Sequence, residues 1–292
     1  MDNLLKNFKY RTREAALLDL LEESVYFSKP SQFHETNDTL EGAFEILNSD
    51  SLWLIIIQAI NSIEIKKHGH PLVASGFSWS ASEKQMISMS NESFIRQADK
   101  LGICSTSKTY DNQAMWSHYC KNEGICFEFE WDQKIIKDLG LLIKEVTYSN
   151  KPRRVNRDRI FKNMIIEYGN ENPKLTIEEL INHSTSKEFS TKWIQNFILE
   201  SSCIKRRCWQ YENEIRLLSP QSHSFPILKK VLRSVYLFLP LFDSPDFIEK
   251  ISKSRLLRLI LNQLMDKYPD VKLYGLSYDK LGRLFREEIP YD

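Results

Sequence analysis

Glycine is scarce in this chain, and the scarcity limits the folds open to it more than any other feature. Its 292 residues include nine glycines, well below the usual share of about 7%. The sequence contains neither G-x-G-x-x-G nor G-x-x-x-x-G-K-[ST]. Rossmann and P-loop enzymes need those glycines because their backbone must approach a phosphate closely. The scarcity argues against both classes, and a dinucleotide would have to be bound in another way.

Strand patterns are spread over the whole chain and alternate with helical ones. Alternation of apolar and polar residues is strictest over residues 125–130, as in a half-buried strand. Other strand patterns occur at residues 25–27, 85–90, 146–148, 212–218, 234–239, 271–276 and 283–289. Helical patterns occur at residues 12–21, 40–66, 109–121, 154–204 and 247–267. We therefore predict a single α+β domain over residues 1–292, with a mixed, largely antiparallel sheet split by helical insertions at about residues 40–66 and 154–204.

Charge and apolar content indicate a cytoplasmic protein. The net charge of +1 gives no global preference for nucleic acid or membrane. The longest apolar run, residues 52–57, is far shorter than the roughly 20 residues that span a bilayer. The N-terminus has no pattern of a signal peptide. Five cysteines without framework spacing favour reduced thiols.

Two N-terminal blocks combine aromatic and polar residues. Arg11, beside Tyr10, can form a surface ion pair or donate a forked pair of hydrogen bonds to a phosphate or carboxylate. The block that runs from Tyr26 through Ser28 to Phe33 is either a strand edge with core aromatics or a slot for a stacked ring beside a hydroxyl.

A late block, Trp209 to Arg216, carries two carboxylates. If it is a strand, Glu212, Glu214 and Arg216 lie on one face. Two carboxylates at positions i and i+2 repel each other, which is costly in a cleft. Either the face is exposed and Arg216 pairs with a glutamate, or the carboxylates take part in chemistry.

A central block, residues 114–120, includes His118, which we interpret as a general base, a substrate contact or a structural histidine. We expect no metal site, because the spacing from Cys120 to Cys126 and from Cys203 to Cys208 does not match zinc motifs. Basic clusters are solvated faces or contacts for a nucleic-acid backbone. Their candidate residues are Arg153, Arg154, Arg157, Arg159, Lys205, Arg206 and Arg207.

Together these blocks resemble a known bacterial family. The residues that carry the resemblance are Tyr10-Arg11, Tyr26 to Phe33, Met115 to Tyr119, and Trp209-x-Tyr211-Glu212-x-Glu214-x-Arg216. The family is the AbiGi-like abortive-infection family, domain of unknown function 2971, and its name implies an antitoxin role. Members continue after Phe33 with Asn-Asp-Pro, whereas this chain continues with His34 to Asp38 and so departs from the family at this turn.

The same order of blocks is similar to the ADP-ribosyltransferase fold, whose members bind NAD without a glycine-rich loop. This similarity implies an ADP-ribosyltransferase-like core and NAD as the substrate. Glu214 would stabilise the charge that develops on the ribose, and Glu212 would orient or deprotonate the acceptor. The residues implied for NAD binding are Tyr10, Arg11, Tyr26, Ser28 and His118.

Two functions remain open at this point. One is an NAD-consuming toxin in anti-phage defence, restrained by an antitoxin or another defence protein and acting on nucleic acid or protein. The other is a non-catalytic antitoxin or binding module. Catalysis requires Glu214, Arg11 and Ser28 to meet in one cleft that solvent reaches. In a binding module, Glu214 is buried against Arg216. A metal-dependent nuclease is less favoured, because the chain has no cluster of aspartates for two ions.

Overall fold

The structure is a computed structural model that describes residues 4–32, 49–71, 99–150, 157–239, 251–278 and 284–290. The strand predicted at residues 85–90 and the turn after Phe33 lie outside these ranges. Chain contacts divide the protein into two compact units. Unit 1 comprises Met1–Lys29, Leu101–Asn150 and Lys205–Asp292, and unit 2 comprises Pro30–Lys100 and Lys151–Ile204. The single-domain organisation stays a prediction.

An eight-stranded sheet forms the centre of unit 1. The strands in the described residues are β1 (Leu5–Arg11), β2 (Val25–Tyr26), β3 (Gly102–Ser107), β4 (Ile125–Trp131), β5 (Leu142–Glu145), β6 (Thr147–Ser149), β7 (Ile204–Arg206), β8 (Glu214–Ser219), β9 (Ser224–Phe225), β10 (Leu232–Phe238), β11 (Lys272–Tyr278) and β12 (Leu284–Glu288). The large sheet has the order β12-β11-β10-β4-β1-β3-β8-β5, and two-stranded sheets pair β2 with β9 and β6 with β7. Neighbours in the large sheet are antiparallel except β10 and β11. The α+β class with a mixed, largely antiparallel sheet is confirmed.

Helices of unit 1 cover the sheet. They are α1 (Arg13–Glu22), α3 (Gln113–Cys120), α4 (Gln133–Asp138), α8 (Leu228–Val231) and α9 (Arg255–Lys267). Thr12 caps α1 as predicted, since its hydroxyl accepts from the Ala15 N–H. On one sheet face Phe127 and Phe129 share a core with apolar side chains of α1 and α9. On the other face Tyr10 and Cys126 pack with Trp116 of α3.

Within the described residues of unit 2, the helices are α2 (Ser49–His68), α5 (Arg157–Glu171), α6 (Ile177–Ser184) and α7 (Lys187–Ser201). They lie in the two segments that the sequence predicts as helical insertions. Ile60 and Ile63 of α2 pack there against Phe161 and Ile165 of α5. None of the helices in the described ranges is both long and apolar enough to span a bilayer.

Some element boundaries differ from the sequence prediction. Strands β1 and β3 are central in the sheet but carry no clear strand signal. In β1 the polar residues Asn7, Lys9 and Arg11 occupy the face whose cross-strand partners in β4 are apolar, so the polarity of this strand does not match the apolar face of its neighbour. Of the helix expected over residues 247–267, residues 251–253 are helical and α9 begins at Arg255 after its cap residue Ser254, while residues 247–250 lie outside the described residues.

Candidate charge cluster

A left-handed residue separates the two glutamates of the late block. Arg207–Glu212 is a short 3₁₀ helix that ends at Asn213, whose φ is 44°. Asparagine tolerates this conformation better than most residues. Strand β8 therefore begins at Glu214, and the prediction that Glu212 shares its strand face is wrong. The change of direction at Asn213 lets both carboxylates approach one cation.

Glu214 is held by Arg216, two residues along β8. The Arg216 Nε lies 2.7 Å from Glu214 Oε1, and its Nη2 lies 3.2 Å from Oε2. Glu214 is 4% exposed and Arg216 is 1% exposed. Burial raises the pKa of Glu214, but the attraction of the Arg216 and Lys205 cations outweighs it and lowers that pKa to about 2. Glu214 is thus an ionised carboxylate inside a buried, forked ion pair.

Lys205 joins the two carboxylates. Its ammonium lies 2.8 Å from Glu212 Oε2 and 3.6 Å from Glu214 Oε2, and the residue is 6% exposed. The same ammonium lies 5.0 Å from the centre of the Trp209 ring. We call Lys205, Glu212, Glu214 and Arg216 the charge cluster. With both glutamates ionised, its four side chains sum to zero charge, the condition under which buried charges are tolerated best.

Tyrosine hydroxyls complete the cluster. Tyr119 of α3 donates to Glu212 Oε1 at 2.6 Å, and the Glu214 N–H donates to the Tyr148 hydroxyl at 2.8 Å. Burial raises the pKa of Glu212, although Lys205 opposes that rise. Burial likewise raises the pKa of Tyr148 to about 12. Tyr119 is 41% exposed, so it connects the buried Glu212 with solvent.

His118 and Tyr10 form hydrogen bonds with residues outside this cluster. His118 is exposed, and its Nδ1 is 2.7 Å from the Tyr211 hydroxyl. Tyr10 is buried, its hydroxyl donates to the Thr109 carbonyl at 3.0 Å, and its ring meets Trp116 edge-on. A ring packed in this way is not positioned to stack on a ligand.

Arg11 is engaged by an acid from the helix that follows it. Its Nε and Nη2 donate to the two Asp19 carboxylate oxygens at 2.7 and 2.8 Å. Phe8, Ser107 and Glu214 occupy one rung of the sheet, and Arg11 lies three residues beyond Phe8. Because side chains alternate along a strand, Arg11 and Glu214 project from opposite faces of the sheet.

Lys9 lies two residues before Arg11 on β1. Strands β1 and β3 share a single residue pair, Phe8 with Ser107, and the Lys9 ammonium donates to the Ser105 carbonyl at 2.7 Å. Burial lowers the pKa of Lys9, and the charges of Arg11, Asp19 and Glu214 also act on it. Lys9 thus lies within electrostatic range of both the Arg11 pair and Glu214.

Ser28 and Tyr26 lie away from the charge cluster. The Ser28 backbone pairs with Ile103 of β3, four residues from Ser107, the partner of Glu214. Four strand residues span about 13 Å. Tyr26 is half-buried and pairs with Ser224 of β9. The structure thus unites Glu212 and Glu214 through Lys205 but does not bring Ser28 or Tyr26 to them.

Of the basic residues proposed to contact nucleic acid, Lys205 is buried in the charge cluster, whereas Arg206 and Arg207 are exposed. Arg153 and Arg154 lie outside the described residues, as does the side chain of Arg157 at the start of α5. Among the residues that the structure covers, no group of three or more histidine, cysteine, aspartate or glutamate side chains is arranged to hold a metal ion.

Several residues of the site carry weak sequence signals. Lys205 stands in a basic run that is typical of a solvated face, and nothing local marks it as buried. Asp19 does carry a signal, because it interrupts the apolar run Leu17-Leu18-Asp19-Leu20-Leu21. An acid on the buried side of a helix needs a cation, and Arg11 supplies it.

Comparison with known proteins gives one match. A family described as "Protein of unknown function (DUF2971)" matches residues 115–217. This bears out the resemblance to that family over about a third of the chain. No curated protein and no solved structure matches. The matched segment contains Tyr119, Tyr148 and all four residues of the charge cluster.

Proposed function

We propose that this protein is a non-catalytic binding module, an antitoxin or another subunit of a bacterial defence complex. One observation carries the proposal. The Glu214 carboxylate, the residue most expected to perform chemistry, has both oxygens engaged by Arg216 and is almost fully buried. A carboxylate in that position supports the fold and does not face a substrate.

The cost of releasing Glu214 supports the same conclusion. To reach a ribose, Glu214 would have to leave Arg216 and Lys205. Separating a buried ion pair costs about 3–5 kcal/mol, because the remaining charge stays desolvated. Arg11 would also have to leave Asp19, to which it donates two short hydrogen bonds. Binding of NAD would have to offset both losses.

The defence role is supported by the resemblance to the AbiGi-like abortive-infection family, which the match at residues 115–217 supports only as far as an uncharacterised family. An antitoxin or complex subunit works through surfaces rather than a reactive centre. The buried charge cluster would then fix the 3₁₀ helix against α3 and β8, so that the surrounding surface is rigid before a partner arrives. Such preorganisation lowers the entropy lost on binding.

An NAD-dependent ADP-ribosyltransferase toxin is the second candidate, and one observation favours it. Glu212 and Glu214 converge on the ammonium of Lys205, and Glu212 also accepts a hydrogen bond from Tyr119, which is 41% exposed, so the two carboxylates that this chemistry needs lie together beside a side chain that solvent reaches. In this case Glu214 and Glu212 act as proposed from the sequence. Tyr10, Arg11, Tyr26, Ser28 and His118 would contact NAD after a rearrangement that opens the ion pairs.

Release of nicotinamide from NAD tests the two candidates. Purified protein is incubated with NAD and cell lysate, beside a Glu214→Gln variant and lysate alone. We expect no release above lysate from either protein, because Glu214 is not accessible. Release by the wild type that disappears in Glu214→Gln, with the variant folded by circular dichroism, would overturn the proposal and establish NAD cleavage, the step on which the transferase depends. Glu123→Gln, which removes an exposed carboxylate of unit 1, is the control.

A further inference from the structure

Lys9 lies where strands β1 and β3 separate. In the described strands, Phe8 with Ser107 is the one residue pair that β1 and β3 share. Four residues back along β3, the backbone of Ile103 pairs instead with Ser28, through hydrogen bonds of 2.8 and 2.9 Å. Four strand residues span about 13 Å. The Lys9 ammonium reaches the edge of β3 between these two pairs, because the carbonyl to which it donates belongs to residue 105.

The hydrogen-bond partner of Lys9 carries no charge. The ammonium donates to the carbonyl oxygen of Ser105 at 2.7 Å. In the part of the chain that the structure describes, Lys9 forms no ion pair. A buried ammonium without a carboxylate partner keeps most of its desolvation cost. Burial at this position therefore favours the neutral amine.

Lys205 shows the opposite arrangement. Its ammonium lies 2.8 Å from a Glu212 oxygen and 3.6 Å from a Glu214 oxygen. Two carboxylates at these distances favour the charged form of a lysine. Of these two lysines, Lys9 is thus the one whose surroundings favour a reactive amine.

The groups around Lys9 act on its charge in both directions. Burial has the largest effect and lowers the pKa of Lys9, and the cation of Arg11 lowers it further. Cys104, Asp19 and Glu214 raise it, but the net pKa remains below the ordinary value. Both carboxylates are held in ion pairs of their own. Desolvation and a neighbouring cation are the two conditions that activate a lysine as a nucleophile.

We propose that Lys9 is a nucleophilic lysine that forms a Schiff base with a small aldehyde or ketone. The Lys9 nitrogen attacks the carbonyl carbon and forms a carbon–nitrogen double bond with it. The carbonyl oxygen leaves as water together with the two amine protons, so the step needs no oxidant or reductant. Lys9 is half-buried, so small molecules reach part of its side chain. This modification site goes beyond the proposed function and does not depend on it.

Reductive methylation with formaldehyde and cyanoborohydride tests the proposal. Cyanoborohydride reduces the Schiff base to a methylamine, and mass spectrometry of peptides locates each methyl group. Lys6 is the internal control, because it lies on the same strand, is 59% exposed and pairs with Glu128 at 3.4 Å. The ratio of the Lys9 rate to the Lys6 rate cancels the pH dependence of the reagent.

We expect this ratio to rise roughly tenfold as the pH falls from about 10 to about 7, because Lys9 keeps its neutral amine at lower pH. A ratio that stays constant or falls over this range would overturn the proposal. Absence of methylation at Lys9 in the folded protein, with Lys6 methylated, would overturn it as well.

The charge environment is tested with a pair of variants. Arg11→Gln removes a neighbouring cation and releases Asp19, and both changes favour the charged form of Lys9. The ratio to Lys6 at pH 7 should therefore fall severalfold. Arg13→Gln removes the same charge at an exposed ion pair and should leave the ratio unchanged. A ratio that falls in both variants or in neither would overturn the proposal.

The wild-type ratio decides alone if Arg11→Gln does not fold. Neither measurement depends on nicotinamide release, so the two proposals can fail independently.

Discussion

At the scale of single residues, the roles of the late block follow from burial. Glu214 and Glu212 share Lys205, and burial raises both pKa values, yet the net shift is downward for Glu214 and upward for Glu212. Arg216 stabilises the ionised form of Glu214, whereas Glu212 receives only the hydroxyl of Tyr119 besides Lys205. The two glutamates look equivalent in the sequence. Their pKa values differ because their side chains contact different partners.

The low pKa of Glu214 makes its contribution to stability depend on pH. A carboxylate whose folded pKa, about 2, lies below the ordinary value of 4.5 stabilises the fold above pH 4.5. That contribution is lost as the pH falls from 4.5 towards 2. We expect Glu214→Gln to lower the free energy of unfolding by about 3 kcal/mol at pH 7, because Arg216 keeps an uncompensated charge.

Urea unfolding at several pH values from 7 downward measures this difference. The gap between wild type and Glu214→Gln should narrow below pH 4.5. Glu123→Gln, at an exposed ion pair, should remain close to wild type throughout. A gap that stays constant down to pH 3 would contradict the assignment of a low pKa to Glu214.

At the scale of elements, the junction of β1, α3 and β4 depends on close approach. Gly124 precedes β4, and a Cβ atom there would lie 2.4 Å from the Arg11 carbonyl oxygen and 2.4 Å from the Cys120 Cβ. Both neighbours are fixed, because Arg11 is paired in the sheet and Cys120 is buried at the end of α3. The position therefore accepts only glycine without movement of an element.

Gly124→Ala should destabilise unit 1, by about 1–3 kcal/mol as for other overpacked sites. The expected result is a lower midpoint of thermal unfolding with little change in the far-ultraviolet circular dichroism of the folded state. Gly69→Ala is a useful comparison for close approach, since no atom lies within 4 Å of its added Cβ. Any loss of stability in Gly69→Ala would come from backbone strain, because Gly69 has a φ of +80°. If Gly124→Ala unfolds at the wild-type temperature, the packing at this junction is looser than described.

How much the sequence predicts depends on the kind of element. Strand β4 was predictable because it alternates apolar and polar residues. Strand β1 was not predictable, because two of its residues serve distant partners. Lys9 donates to the Ser105 carbonyl of β3, and Arg11 forms an ion pair with Asp19. Local sequence contains neither requirement. The glutamates were found as a cluster, but their cation, Lys205, could be recognised only from the fold.

At the scale of the whole molecule, the reactivity of the cysteines measures how much of the fold is closed to solvent. All five lie in described residues and are free thiols, and four are buried while Cys208 is exposed. Burial raises the pKa of Cys120 to about 12, so its reactive thiolate is scarce in the folded protein. The buried thiols lie on β3, α3, β4 and the segment after α7.

A thiol-specific reagent should therefore label one cysteine of the native protein rapidly. Labelling of the other four should require unfolding and should increase together with denaturant. Mass spectrometry counts the labels, and Cys208→Ser should abolish the rapid phase while leaving the slow one. Rapid labelling of two or more sites in the native protein would show that part of the sheet is accessible to solvent.

The pairing of β1 with β4 has a consequence for synthesis of the chain. Leu5 pairs with Trp131, so the first strand emerges from the ribosome long before its partner. At about 5–20 residues per second, β1 waits for roughly 6–25 s. An apolar strand would be prone to aggregation during that interval, whereas Lys6, Lys9 and Arg11 keep this one hydrated. The charges that obscure β1 as a strand thus protect the nascent chain until the sheet can close.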